Sequence, residues 1–225
     1  MINQVQKKIL TNAGKEYLLV EYDDFFLSQK NKKVRVKNLG EKFASINSYF
    51  FDYLKGFNIP SAYVKKSSKK GLSFLRFSEL PFKVKILNAA DKRTSKIFSV
   101  KASSPLELPV FETHYGNSND SLISESHIIS FNLCTYEDLK FITRLCSKIN
   151  AIIKSFFERR NDSIIELTCG FGKFDNKIYL IDEFSPVSLR IIKNDSDGKF
   201  PDPYNIETAV QMIKYTDHIL NFASS

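Results

Sequence analysis

The stretch Lys177–Ile192, KIYLIDEFSPVSLRII, joins an apolar run to a short polar segment. The four residues before Asp182 are apolar and predict a buried strand, and Asp182 and Glu183 follow at its end, where open sheets usually bind ligands. A Ser-Pro turn then leads to Arg190. A carboxylate and a cation at a strand end indicate a ligand site. An ion pair or a cap on the strand end would explain Asp182 and Arg190 equally well.

The composition is that of an ordinary globular protein. With 225 residues, of which 43% are hydrophobic and 26% charged, the chain is long enough for one large domain or two lobes. It contains no apolar run of the roughly 20 residues that span a bilayer, and MINQVQKKIL lacks the apolar core of a secretory signal. We therefore expect a cytoplasmic protein with no membrane partner. Cys134, Cys146 and Cys169 follow no disulfide or zinc spacing, which predicts small buried side chains.

The net charge of +8 predicts a polyanionic partner, which could be a nucleotide, a sugar phosphate or nucleic acid. Nucleic acid is the least favoured of the three, because no motif of a known nucleic-acid-binding fold is present. The basic runs stand beside Ser, Asn or Gly and predict solvated loops. The three histidines have no metal-ligand spacing and predict no catalytic role; they are His114, His127 and His218.

Apolar periodicity predicts a mixed α+β protein. Apolar, branched and aromatic runs predict strands at residues 16–26, 110–115, 163–169 and 177–181. Period-two patterns predict strands at 63–64, 71–77 and 82–87, which should form an antiparallel meander. Helical stripes predict helices at residues 41–57, 135–160 and 205–222. Residues 89–109 show no period and predict a crossing between two lobes, 1–88 and 89–225.

Four segments in the same order resemble the SAICAR synthetase family, and they span most of the chain. They are GEKFASINSYFFDYLKGFNIPSAYV (residues 40–64), PFKVKILNAADKRTSK (81–96), VFETHYGNSNDSLISESHI (110–128) and DEFSPVSLR (182–190). The resemblance implies a two-lobed α+β fold, with an antiparallel β N-terminal lobe, an α/β C-terminal lobe and a nucleotide cleft between them.

The resemblance also implies a reaction of de novo purine synthesis. In the family, ATP with Mg²⁺ drives the ligation of aspartate to the carboxylate of carboxyaminoimidazole ribotide through an acyl phosphate. Carried over position by position, the resemblance assigns nucleotide binding to Lys15 and Asp182, and metal binding to Asp182 as well. It assigns substrate binding to Asn88, Arg93, Asp120, Ser185 and Arg190.

Several positions depart from the family's pattern. In IIELTCGFG, the family's Asp, Lys and metal-binding Glu become Glu166, Thr168 and Gly170, and Leu87 replaces a family arginine. These departures predict an eroded active site with weak or no ligase activity. Such a protein could still bind a nucleotide or ribotide phosphate. It could also act as the partner of an active paralogue or form a homo-oligomer.

Two alternatives remain open. The chain could be an ordinary ligase whose missing groups are supplied by Lys15, Arg93, Glu166 or Glu183. It could also be a basic binding or partner-subunit protein that reuses the cleft for a nucleotide, nucleic acid or another polyanion.

Overall fold

A computed structural model describes residues 5–12, 15–28, 30–116, 121–194 and 200–223, with the backbone alone for residues 5, 10–12 and 15. Twelve strands are present in these ranges: β1 Val5–Asn12, β2 Lys15–Tyr22, β3 Phe25–Leu27, β4 Lys33–Arg35, β5 Tyr63–Lys66, β6 Gly71–Leu75, β7 Ser78–Ala89, β8 Pro105–Tyr115, β9 Leu122–Ile123, β10 Asp162–Phe174, β11 Lys177–Leu180 and β12 Leu189–Lys193. The same ranges hold five helices: α1 Leu39–Lys55, α2 Lys92–Phe98, α3 Glu125–Ser130, α4 Tyr136–Glu158 and α5 Ala209–Ala223. Helices beside antiparallel sheets confirm the predicted α+β class.

The chain forms two compact units, and each is discontinuous in sequence. Unit 1 comprises Met1–Phe77, Glu183–Val187 and Ser196–Ser225, and unit 2 comprises Ser78–Asp182 and Ser188–Asp195. The predicted boundary after residue 88 falls inside β7, and the division into lobes 1–88 and 89–225 stays a prediction.

Unit 1 contains an antiparallel sheet in the order β1-β2-β6-β5, a small β3–β4 hairpin, and the helices α1 and α5. The predicted helix at 41–57 is α1, whose apolar stripe is buried against β2, β5, β6 and α5. Aromatic rings dominate this core: Phe51 packs edge-on against Phe74, with ring centroids 5.5 Å apart. The predicted antiparallel β character of the first lobe is confirmed.

The start of α1 is fixed by contacts with the last residue of β2 and with the bend that follows it. A Cβ atom at Gly40 would lie 2.2 Å from the carbonyl oxygen of Tyr22, so only glycine fits this approach. The Gly40 N–H donates to Asp24 Oδ1 at 3.0 Å, and Lys70 also donates to the Asp24 carboxylate. Burial raises the pKa of Asp24, but these hydrogen bonds outweigh it and lower the pKa overall.

Unit 2 is built on a six-stranded antiparallel sheet. The strands follow the order β11-β10-β7-β8-β9, and β12 pairs with the first part of β10, on the same edge as β11 and opposite β7. The predicted helix at 135–160 is α4, whose N-cap Thr135 accepts a hydrogen bond from the Asp138 N–H at 3.1 Å. Its buried stripe packs on β10, β7 and β11. Cys146 of α4 contacts Cys169 of β10 in this layer, and both are buried as predicted. The same prediction was wrong for Cys134, which is only half-buried.

Three local expectations were wrong. The segment expected to be an irregular crossing contains α2 and the first half of β8. The expected meander stops at β6, because β7 pairs with β8 and β10 in the other sheet. The strand expected to run through residues 16–26 is interrupted, with β3 starting after a bend at Asp24. Among the described residues, none of the helices combines the length and the apolar character needed to cross a membrane.

Candidate functional site

One face of the unit 2 sheet carries a concentration of charged side chains. Alternate residues of a strand point to opposite faces, and residues paired across antiparallel strands share a face. In β7 and β10, Lys85 is paired with Thr168 and Lys83 with Gly170. The intervening residues face α4. We call the other side the polar face; its members are Lys83, Lys85, Glu112, His114, Glu166, Thr168, Gly170 and Arg190.

Lys85 is the centre of the polar face. Its Nζ lies 2.8 Å from Asp91 Oδ2, 3.5 Å from Glu166 Oε2 and 3.8 Å from Glu112 Oε2. Asp91 is also the N-cap of α2 and accepts a hydrogen bond from the Thr94 N–H at 2.7 Å. Burial raises the pKa of Asp91, but the hydrogen bonds from Lys85 and Thr94 lower it more, to about 2. One ammonium group therefore holds three buried carboxylates together.

Two arginines complete this network. Arg190 Nη1 donates to both oxygens of Glu166, at 2.9 and 3.0 Å, and Arg93 donates to Glu112. His114 Nε2 lies 3.3 Å from Glu112 Oε2. Burial raises the pKa of Glu112, but the hydrogen bond with His114 and the positive charges of Lys85 and Arg93 lower it overall. The three carboxylates are matched by three cations: Lys85, Arg93 and Arg190.

A second cluster on the polar face surrounds Asp182. The Ile181 N–H donates to the Gly170 carbonyl oxygen at 3.0 Å and holds the strand end beside β10. Lys83 Nζ donates to Asp182 Oδ1 at 3.1 Å. The Asp182 side chain is 12% exposed, so this ion pair is largely screened from water.

The residues around Asp182 do not fit a magnesium ion. Mg²⁺ takes near-octahedral oxygen ligands and is usually held by one or two carboxylates together with phosphates and waters. Here the Asp182 carboxylate already binds the Lys83 ammonium, and the facing position is Gly170, which has no side chain. In the described ranges, no group of three His, Cys, Asp or Glu side chains is arranged to hold a metal ion.

The structure places the predicted site residues in different settings. Arg93 and Arg190 lie in the polar-face network, and Asp182 lies on the same face. Asn88 faces α4, where its side-chain amide exchanges two hydrogen bonds of 2.9 Å with Asn150. Asp182 and Arg190 each form an ion pair, but with a different residue: Asp182 with Lys83 and Arg190 with Glu166. Ion pairing and ligand binding stay equal alternatives for these two residues.

Ser185 belongs to unit 1. Its hydroxyl donates to Glu183 Oε1 at 3.1 Å and accepts the Val187 N–H at 3.2 Å, so it shapes the turn. Asn47 of α1 anchors this turn by accepting the Phe184 N–H at 2.6 Å. Asp120 and the side chain of Lys15 lie outside the described residues.

Sequence reasoning missed four members of the two clusters: Lys83, Lys85, Asp91 and Glu112. The signal was present in PFKVKIL, where lysines alternate with apolar residues along a strand. A lysine at every second position places two ammonium groups on one face, and such a face needs carboxylates on the neighbouring strands.

Comparisons with known proteins agree with this fold. Residues 6–217 match the model of the SAICAR synthetase family. The phosphoribosylaminoimidazole-succinocarboxamide synthase of Clostridium kluyveri is 28% identical to this chain over 216 residues, which cover 92% of each protein. The crystal structure of the corresponding synthase from Ehrlichia chaffeensis is similar with a TM-score of 0.81 at 24% identity, covering 96% of this chain and 95% of that one. A SAICAR synthetase in complex with ADP has a TM-score of 0.82 at 21% identity, covering 98% and 97%.

These structural likenesses confirm the predicted fold. Since the family's model matches nearly the whole sequence, the chain belongs to the SAICAR synthetase family.

Proposed function

We propose that this protein is a purine-pathway member of its family that binds a nucleotide or ribotide phosphate and catalyses the ATP-dependent ligation weakly or not at all. Family membership supports the class of ligand, and one similar solved structure contains ADP. The observation that carries the proposal is the network on the polar face, where every one of three cations is already bonded to a buried carboxylate.

A ligand phosphate has to compete with these carboxylates. The side chains of Lys85 and Arg190 are 16% and 15% exposed, whereas that of Arg93 is 49% exposed. Arg93 can therefore rotate toward a ligand at the smallest cost, and we propose it as the group that meets the phosphate. Such competition lowers affinity, because Glu112 stays buried and loses its nearest cation, with only the more distant Lys85 ammonium remaining at 3.8 Å.

The departures from the family's pattern support weak catalysis. Thr168 and Gly170 provide neither the ammonium nor the carboxylate that the resemblance implies at these positions. Removing one preorganised charged or hydrogen-bonding group typically lowers the rate of a reaction by about 10²–10³.

Polyanion binding is the second candidate. The polar-face network is neutral, so the net charge of +8 arises from cations outside it. A basic binding or partner-subunit protein would use those cations, with an active paralogue or a further copy of this chain as partner. We also propose that the protein is cytoplasmic.

A ligation assay tests the proposal. ADP release is measured with aspartate, carboxyaminoimidazole ribotide, ATP and Mg²⁺, and the Clostridium kluyveri enzyme serves as positive control. We expect turnover at least about 10²-fold below that control. Turnover equal to the control would overturn the proposal and favour the ordinary ligase.

Calorimetric titration with ADP and with the ribotide tests the binding half of the proposal. We expect Arg93→Met to weaken binding, whereas Arg144→Met, on the exposed face of α4, should leave it unchanged. If neither compound binds the unaltered protein, the nucleotide proposal is wrong. Oligonucleotide binding that disappears at moderate salt would then favour the second candidate.

A further inference from the structure

The side chain of Asp182 rests on bare backbone. A Cβ atom added at Gly170 would lie 3.2 Å from both Cβ and Oδ2 of Asp182 and 3.3 Å from its Cγ. These are tight contacts, so a side chain at position 170 would require the Asp182 side chain to shift. Glycine at this position and the location of Asp182 depend on each other.

The positive charge beside Asp182 comes from the strand next to Gly170. Lys83 is the cross-strand partner of Gly170, and its ammonium reaches Asp182 Oδ1 at 3.1 Å. A divalent cation between two carboxylates is a neutral arrangement. One carboxylate with one ammonium is neutral as well, and it needs neither a second carboxylate nor a metal ion.

We propose that the Lys83 ammonium is a built-in replacement for a divalent cation at Asp182. The protein therefore keeps a fixed positive charge at this place and does not bind Mg²⁺ or Mn²⁺ there. A second consequence rests on the proposed function: the protein binds a nucleotide phosphate with the same affinity in the presence of Mg²⁺ and in the presence of a chelator.

Lys173 offers a matched control within the same unit. Its Nζ lies 2.8 Å from Asp138 Oδ2, and the two side chains are 31% and 16% exposed, compared with 30% and 12% for Lys83 and Asp182. The two ion pairs are thus equal in burial and in chemistry. Only the Lys83 pair faces a position without a side chain.

The first test is thermal unfolding with and without Mg²⁺. We expect Lys83→Ala and Lys173→Ala each to lower the unfolding midpoint by several degrees, since about 1 kcal/mol corresponds to about 2–4 °C in a chain of this size. Mg²⁺ should restore part of the loss in Lys83→Ala only, because it takes the place of the missing ammonium. Equal responses of the two variants to Mg²⁺ would contradict the proposal.

The second test measures Mn²⁺ binding directly by electron paramagnetic resonance. Lys83→Glu places a second carboxylate opposite Gly170, and we expect Mn²⁺ to bind this variant at least about tenfold more tightly than the unaltered protein. Adding Asp182→Asn should abolish the gain. Mn²⁺ binding by the unaltered protein that is lost in Asp182→Asn would overturn the proposal, and so would the absence of any gain in a folded Lys83→Glu variant.

A third titration separates this inference from the proposed function. ADP is titrated into the unaltered protein in Mg²⁺ and in EDTA, and we expect equal affinities. An affinity that falls in EDTA contradicts the inference. If ADP binds in neither condition, the proposed function fails, while the Mn²⁺ measurement still decides the role of Lys83.

Discussion

Replacing Lys85 by methionine tests the centre of the polar face. Methionine keeps most of the length and volume of the side chain and removes the charge, so the change isolates electrostatics from packing. It leaves three carboxylates within 4 Å of the former ammonium position: Asp91, Glu112 and Glu166.

The size of the effect follows from these distances. At an effective dielectric constant of about 20, charges 2.8, 3.5 and 3.8 Å apart attract by roughly 6, 5 and 4 kcal/mol. Most of this attraction is offset by the cost of removing the charges from water. In the variant the three carboxylates stay buried but lose the positive charge of Lys85. Removing one partner of a buried ion pair in this way costs about 3–5 kcal/mol. We therefore expect Lys85→Met to lower the free energy of unfolding by about 3–5 kcal/mol at pH 7.

Urea unfolding followed by far-ultraviolet circular dichroism measures this loss, and the protein contains no tryptophan to serve as a fluorescent probe. Lys154→Met is the control, because Lys154 pairs with Glu158 at 3.7 Å on the exposed side of α4. That pair should contribute about 0.5 kcal/mol or less. If Lys85→Met costs no more than Lys154→Met, the network does not stabilise the fold and our account of the polar face is wrong.

Three further predictions concern the same unit. Lys85→Thr combined with Thr168→Lys moves the ammonium to the facing position of β10, and we expect it to regain about half or more of the 3–5 kcal/mol lost in Lys85→Thr alone, measured by urea unfolding. Because the pKa of Asp91 is lowered to about 2 in the folded protein, its contribution of about 2 kcal/mol is complete above about pH 4 and is lost as the pH falls toward 2. Stability measured across this range should therefore fall less steeply in Asp91→Asn, and an unchanged slope would contradict the assignment. Asn88→Ala leaves the buried amide of Asn150 without its partner and should cost about 1–3 kcal/mol in urea unfolding, whereas replacing both by leucine should cost much less.

The long helices could be predicted from the sequence because their apolar stripes extend over many turns. The helices α1 and α4 contain 17 and 23 residues, and each buries a continuous stripe. In contrast, α2 contains seven residues and leaves Ile97 and Phe98 exposed, so no stripe marks it. Its start is set by Asp91, whose partner Lys85 lies on another element.

The candidate site was predictable only in part. Asp182 and Gly170 attract notice in the sequence, because one ends an apolar run and the other replaces a carboxylate of the family's pattern. Lys83 stands out only as one of two alternating lysines, and its contact with Asp182 depends on which residue lies opposite on the next strand. That register is set by the pairing of whole strands and includes an irregularity between Gly170 and Gly172. No local pattern in the sequence specifies it.

The discontinuity of unit 1 has a consequence for synthesis on the ribosome. Its first segment ends at Phe77, but α1 also packs on α5, which begins at Ala209, and Lys42 Nζ lies 2.5 Å from Asp217 Oδ1. All the strands of unit 2 have been made by Lys193, before α5 exists. Since a contact cannot form before both of its residues have been translated, the unit that the ribosome starts first is the one that it completes last.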